Sequence, residues 1–251
     1  MMKIPKYRAD QILFDLGLAE SREKAKRLIM AGAVVRVLEG REEPVKKPGD
    51  QLPPDAVLRV AEAERYVSRG GHKLETALTH FSLDVTGFVC LDAGASTGGF
   101  TDCLLQHGAA RVYAADVGKG QLDVKLRGDS RVVVLEEVNL RHAPAGLIPE
   151  PVDLVTADLS FISLTKVLPA LVQFLKPGGR VVALVKPQFE LGPGAAVKGV
   201  VRDPDLRQQA VDIVTNFCRD ELGLEPLGAV PAKIKGPKGN QEFLASFLAG
   251  R

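Results

Sequence analysis

From about residue 88 onward the chain alternates short apolar runs with stretches of helical periodicity. Residues 89–91, 112–115, 131–135, 152–158 and 180–186 read as strands, rich in valine, leucine and alanine and too short for buried helices. Between them, residues 100–107, 122–126 and 165–174 carry the 3.6-residue period, with Gly108 closing the first and Lys176-Pro-Gly-Gly179 the third. Asp203-Pro204 supplies an N-cap and a first-turn proline for a helix to about residue 222, and a last strand starts at Glu242. Alternation of this kind predicts an α/β fold built on a doubly wound, mostly parallel sheet.

The first sixty residues follow another plan. Residues 8–16 place Ile12, Leu13 and Leu16 on one helical face, with Gly17 as a stop. A second helix over 21–30 has Ser21 as N-cap, Glu23 in its first turn and Gly32 past its end. Ala25, Leu28 and Ile29 face inward there, leaving Arg22, Lys24, Lys26 and Arg27 on a basic surface. A strand over 33–38 follows, and residues 45–52 turn into another strand ending near Val60. A small α+β module of this size buries little, so it needs a partner or a neighbouring domain. The expected division is a module over 1–61, a charged linker over 62–67 and a larger domain over 68–251. The larger domain opens on Ser68-Arg-Gly-Gly-His-Lys-Leu74, with a helix over 72–80. Lys73 in the first turn of that helix opposes the helix dipole, which suggests a task other than stability.

Composition narrows the class. At 251 residues the chain exceeds one typical domain, and a net charge of +2 gives little long-range steering, so affinity for nucleic acid must come from local patches. Cys90, Cys103 and Cys218 are far apart, without metal-ligand spacing, and read as reduced core thiols of a cytoplasmic protein. The four histidines form no ligand set, and no metal is expected. The N-terminus carries Lys3, Lys6 and Arg8 without an apolar run behind them, so no signal peptide is expected, and no apolar stretch is long enough to span a bilayer.

The chemistry centres on Asp92-Ala-Gly-Ala-Ser-Thr-Gly-Gly-Phe100, a strand end, a glycine turn and a helix start. About 20 residues on, the next strand ends in Asp116, where a Rossmann-type site holds ribose hydroxyls. A dinucleotide site wants glycine at its second turn position, where this chain has Ser96, and Asp92 would repel a pyrophosphate while attracting an amino group and a sulfonium. S-adenosylmethionine (SAM) therefore fits better than NAD, with Asp92, Gly94, Ser96, Gly98, Gly99, Phe100, Asp116, Asn139 and Asp158 as candidate contacts. In open α/β sheets ligands bind beyond the carboxyl ends of strands, so Asp92, Asp116, Asp158 and Lys186 should converge on one crevice. The glycine-rich loop from Pro187 to Arg202 suits a lid or a substrate contact. The basic turn Lys233-Ile-Lys-Gly-Pro-Lys238 can hold phosphates or be a solvated loop. A ribose hydroxyl needs a base or a cation to become a nucleophile. Lys73, Asp158, Lys186 and Glu242 offer two cations and two anions at element ends, a set suited to ribose 2′-O methylation or, alternatively, to structural ion pairs.

Two resemblances sharpen these expectations. Arg8-Ala-Asp-Gln-Ile-Leu, Ser21-Arg-Glu-Lys-Ala, Gly32-Ala-Val-Val and Val45-Lys-Lys-Pro-Gly-Asp resemble the RNA-binding domain first described in ribosomal protein S-four. That resemblance implies contact with structured RNA through Arg8, Arg22, Lys26 and Arg27. Arg69, Lys235 and Lys238, near the crevice, are further candidate RNA contacts. The whole chain resembles the TlyA family of haemolysin-named proteins, through Ser68-Arg-Gly-Gly-His-Lys-Leu, Asp92-Ala-Gly-Ala-Ser-Thr-Gly-Gly-Phe-Thr-Asp, Ala157-Asp-Leu-Ser-Phe-Ile-Ser-Leu, Leu184-Val-Lys-Pro-Gln-Phe-Glu and Gly239-Asn-Gln-Glu-Phe. The family implies an FtsJ-like, Rossmann-like SAM-dependent methyltransferase domain and a catalytic tetrad falling on Lys73, Asp158, Lys186 and Glu242, with Lys186 as base. It also implies cytidine 2′-O-methylation of small- and large-subunit rRNA, in ribosomal subunits or ribosomes. Arg65-Tyr66-Val67 departs from a family linker signature in which tryptophan is common.

Rival activities lack their signatures. Base amino-methylation wants two prolines after the acid, which Asp158-Leu-Ser-Phe161 lacks, and carbon methylation of cytosine needs a cysteine at the crevice. A membrane-damaging role would need a spanning or strongly amphipathic basic segment. An RNA-binding ribosome-assembly factor that holds SAM without turnover is the alternative a sequence leaves open. Oligomeric state has no signature in the chain.

Overall fold

A computed structural model describes residues 5–38, 40–60, 65–192 and 194–250. Position 61 of the expected module and positions 62–64 of the expected linker lie outside the described residues. The chain divides into two compact units, Met1–Arg65 and Tyr66–Arg251.

In the first unit, β1 (Tyr7–Arg8) and α1 (Ala9–Asp15) precede α2 (Arg22–Met30), β2 (Val34–Leu38), β3 (Arg41–Pro44), β4 (Gln51–Leu52) and β5 (Val57–Val60). The strands β3, β2 and β5 form an antiparallel sheet in that order, and β1 pairs with β4. Ser21 caps α2 by accepting from the Lys24 amide at 3.1 Å. Ile12, Leu13, Ala25 and Ile29 are buried together. Leu16 points outward, because α1 stops at Asp15 and the chain leaves the helix before that side chain turns inward.

The second unit begins with α3 (Gly70–His80). It continues through β6 (Val89–Ala93), α4 (Gly99–Gln106), β7 (Arg111–Ala115), α5 (Val124–Arg127), β8 (Val132–Leu135), β9 (Val152–Ala157), α6 (Leu168–Leu171), β10 (Leu175–Val185), α7 (Pro187–Glu190), α8 (Pro204–Asp220), β11 (Glu225–Pro231) and β12 (Phe243–Leu248). These seven strands form one sheet in the order β11-β12-β10-β9-β6-β7-β8. The five from β10 to β8 run parallel, and β12 lies antiparallel between β10 and β11. Strand order reverses between β6 and β9, so the crevice opens outside their carboxyl ends.

Side chains of successive strand residues leave the sheet on opposite faces. Leu91 and Ala93 join the core that packs with α6 and α8, whereas Cys90 joins the core beneath α3 and α4. The antiparallel course of β12 matters for the site: Phe243 pairs with Val185, so Glu242 stands at the same sheet edge as Lys186. The long helix expected over 165–174 is instead a 3-10 turn, the four residues of α6 and a second 3-10 turn around Pro169. Pro169 stands in the first turn of α6, where its missing backbone donor is tolerated, and it bars the helix from running on from the turn before it.

Candidate active site

The four tetrad positions reach one cavity from four elements. Lys73 comes from the first turns of α3, Asp158 from just beyond β9, Lys186 from just beyond β10 and Glu242 from just before β12. Their side chains form two ion pairs: Lys73 Nζ to Glu242 Oε2 at 2.6 Å, and Lys186 Nζ to Asp158 Oδ1 at 2.6 Å. Lys186 Nζ also donates to Ser160 Oγ at 3.0 Å. All four line a cavity of about 280 Å³, with Arg69 and Lys235 exposed on its wall. Glu242 is 0 % exposed, and its Oε1 has no hydrogen-bond partner. A Cβ on Gly236 would overlap that carboxylate, so only glycine fits the basic turn above it.

A second cavity of about 540 Å³ adjoins the first through Gly94, Ser96, Asp158 and Ser160. Its remaining wall includes Asp116, Val117, Val138, Asn139 and Leu140. Asp116 accepts from the Ser96 amide at 2.9 Å and from the Gly118 amide at 2.7 Å, which fixes the carboxylate yet leaves lone pairs on both oxygens. Asn139 accepts from the Arg141 amide at 3.1 Å and holds the turn beside it. Gly94 has φ +86°, and a Cβ there would lie 2.5 Å from the Asp158 carbonyl oxygen. The glycine turn is thus pressed against the exit of β9, where no side chain fits. An apolar cavity with a ribose-type carboxylate, joined past this turn to the cavity that holds the four charges, would suit an adenosyl group.

Other candidate cofactor contacts have different surroundings. Asp92, expected to face the cofactor, is wholly buried in the body of β6, opposite Ala114 and Thr156. Strand alternation turns it beneath α4, where it accepts from Thr101 Oγ1 at 2.6 Å and Thr156 Oγ1 at 3.1 Å. It lines neither cavity. Burial raises its pKa to about 6 against the pull of those hydroxyls. Gly98, at φ +97°, packs on Leu122 and Leu126, while Gly99 lies against Ser68, Gly70 and Gly71. Phe100, Ser96 and Gly99 line the smaller cavity.

The expected RNA-contacting cations divide similarly. Arg8 and Arg22 both pair with buried Asp10, at 2.9 and 3.3 Å, so part of their charge is spent inside the module. Lys26 pairs with Glu23 at 2.6 Å, and Arg27 is exposed. Lys238 is exposed and lines a third cavity, of about 350 Å³, together with Lys186 and Glu242.

Several site residues carry no strong signal in the sequence. Tyr66, expected in the linker, is buried on Gly71 of α3 with its ring edge-on to His72 at 5.0 Å. The next amide, of Val67, donates to Asp102 Oδ2 at 2.8 Å. Glu190 of α7 accepts from Ser163 Oγ at 2.5 Å and the Leu164 amide at 3.0 Å, tying the segment after Asp158 to the segment after Lys186. Burial pushes its carboxyl above the usual range.

The sheet order, the glycine turn and the cavity beside Asp116 define a Rossmann-like methyltransferase architecture. Residues 66–248 match the FtsJ-like methyltransferase family and residues 8–35 the S4 domain. The 16S/23S rRNA (cytidine-2'-O)-methyltransferase TlyA of Mycobacterium tuberculosis is 50% identical over 94% of this chain and 87% of its own length. A hemolysin-named protein of Streptococcus thermophilus has a solved structure with 45% identity and a TM-score of 0.74, covering 99% of this chain and 90% of that one. The N-methyltransferase NodS of Bradyrhizobium japonicum, in complex with S-adenosyl-L-homocysteine, shares the fold at 18% identity and a TM-score of 0.52, over 73% of this chain and 89% of that one. The chain belongs to the FtsJ-like methyltransferase family, in its TlyA branch. It is accordingly a SAM-dependent methyltransferase.

Proposed function

We propose that this enzyme methylates the 2′-hydroxyl of cytidine in rRNA, acting on ribosomal subunits or ribosomes in the cytoplasm. The observation that carries the reading is Lys186 Nζ, held by Asp158 and Ser160 where the adenosyl cavity meets the smaller one. The rRNA relative, similar along nearly the whole chain, and the matched S4 domain support RNA as the substrate.

SAM supplies an electrophilic methyl group on a sulfonium, so the protein's task is to align and deprotonate the acceptor. Asp116 and Asn139, on one cavity with Gly94, would hold the adenosyl end. Lys186 takes the 2′-hydroxyl proton at Nζ, so that the ribose oxygen can accept the methyl group SAM supplies. Asp158 and Ser160 fix the direction of its Nζ. The second ion pair fixes Lys73, whose positive charge stabilises the developing alkoxide. Arg69, Lys235 and Lys238 grip flanking phosphates. The module over residues 1–61 docks structured RNA, with Arg27 an exposed cation on α2, and residues from Tyr66 onward work with the catalytic domain.

Mapping 2′-O-methyl groups on rRNA from cells with and without the protein tests this reading. Loss of methylation at specific cytidines is expected. Binding to ribosomes without methyl transfer from labelled SAM would instead mark an assembly factor and overturn it.

A further inference from the structure

We propose that Gln188 reads the exocyclic amino group of the target base and so selects cytidine over uridine. The inference rests on the RNA reading above. Gln188 follows the candidate base Lys186 by two residues, on α7, and lines the cavity of about 350 Å³ that also holds Lys186 and Glu242. Its Oε1 is buried and has no hydrogen-bond partner. A buried acceptor left unpaired costs free energy, which a ligand carrying a donor recovers.

The other carboxamide on this cavity is already committed. Asn240 accepts from the Val201 amide at 3.0 Å and donates to the Gly199 carbonyl at 2.8 Å, so it braces the wall. The rings of Phe161 and Phe189, 5.3 Å apart, give the cavity apolar sides. A flat heterocycle stacked against these rings, with an N–H directed at a carboxamide oxygen, fits this chemistry. Cytosine presents its 4-amino donor where uracil presents a carbonyl acceptor. Uracil at that position would set two acceptors against each other, and a site built for a hydrogen bond discriminates strongly against a ligand that lacks it.

The test uses full-length protein with ribosomal subunits from cells lacking it, and with matched subunits carrying uridine at the mapped target. The parent should prefer the cytidine substrate, and Gln188→Leu should lose about tenfold to a hundredfold in kcat/KM on it while binding SAM as before. Gln188→Glu keeps an acceptor and should retain most of the cytidine preference. A packing role predicts the reverse order, since leucine suits an apolar wall better than a carboxylate. A Gln188→Leu enzyme that still distinguishes the two substrates as the parent does would overturn the inference. Parent protein that transfers no methyl group to either substrate would instead overturn the rRNA reading beneath it.

Discussion

Replacing Gly94 by alanine should damage the site more than the same change at Gly98, its neighbour in the glycine turn. Its φ of +86° already disfavours an L side chain by about 1–2 kcal/mol. The added Cβ would sit 2.5 Å from the Asp158 carbonyl oxygen and 3.1 Å from its carbonyl carbon. Ordinary contact begins near 3.4 Å, so the turn and the exit of β9 must part by roughly 0.9 Å. Both neighbours are backbone, and neither can rotate away. Adding an overpacking cost of about 1–3 kcal/mol gives a loss of stability near 2–5 kcal/mol. The displacement falls on Asp158, which orients Lys186, and a misplacement of about 1 Å costs on the order of a hundredfold in turnover. Gly98→Ala is the control. It has a similar φ of +97°, but its Cβ would meet the methyl ends of Leu122 and Leu126, which can rotate. Thermal melts, SAM titration and single-turnover methyl transfer on both variants, below both melting temperatures, read the difference. Gly98→Ala should lose stability and keep near-parental turnover, whereas Gly94→Ala should lose both turnover and SAM affinity. Equal turnover in the two variants would refute the reasoning.

Three further outcomes follow from the charges. Lys73→Met leaves the Glu242 carboxylate buried without its cation and should cost about 3–5 kcal/mol in denaturant melts, most of it recovered in Lys73→Met/Glu242→Leu. Asp92 is harder to ionise in the folded chain than in the unfolded one, so its contribution to stability is complete below pH 4 and lost as pH rises through about 6. The loss is on the order of 3 kcal/mol, and Asp92→Asn should remove this decline between pH 4 and 7 in melts compared with the parent. Arg27→Ala should weaken rRNA binding across sequences and flatten the slope of log K against log salt by about 0.7–0.9, with methyl transfer at saturating rRNA unchanged.

What could be read from the chain and what could not divides along physical lines. The parallel strands were legible because they are buried on both faces and so form unbroken apolar runs, as at Val181 to Val185. The strand β11 gave no such signal: Pro226, Gly228 and Pro231 punctuate it, and such residues are tolerated there because it is an edge strand. The strand β3 is exposed and charged, Arg41-Glu-Glu-Pro, and pairs antiparallel with β2. Asp92 looked like a cofactor ligand because it stands before the turn, yet the two-residue period of β6 sends it beneath α4 to Thr101. Tyr66 lay in a stretch rich in charges, and its seat on Gly71 depends on a glycine five residues away. The motifs around Lys73, Asp158, Lys186 and Glu242 showed which residues to watch. Their two-by-two pairing rests on the antiparallel return of β12, which periodicity cannot supply. Gln188 and Glu190 stood inside a recognised motif with no local feature to separate their tasks.

The most direct test of the proposed mechanism combines a SAM titration with labelled methyl transfer to ribosomal subunits for Lys186→Ala beside the parent. The account expects SAM affinity within about threefold of the parent and methyl transfer reduced by at least about a hundredfold. Methyl transfer at the parental rate from Lys186→Ala would contradict it.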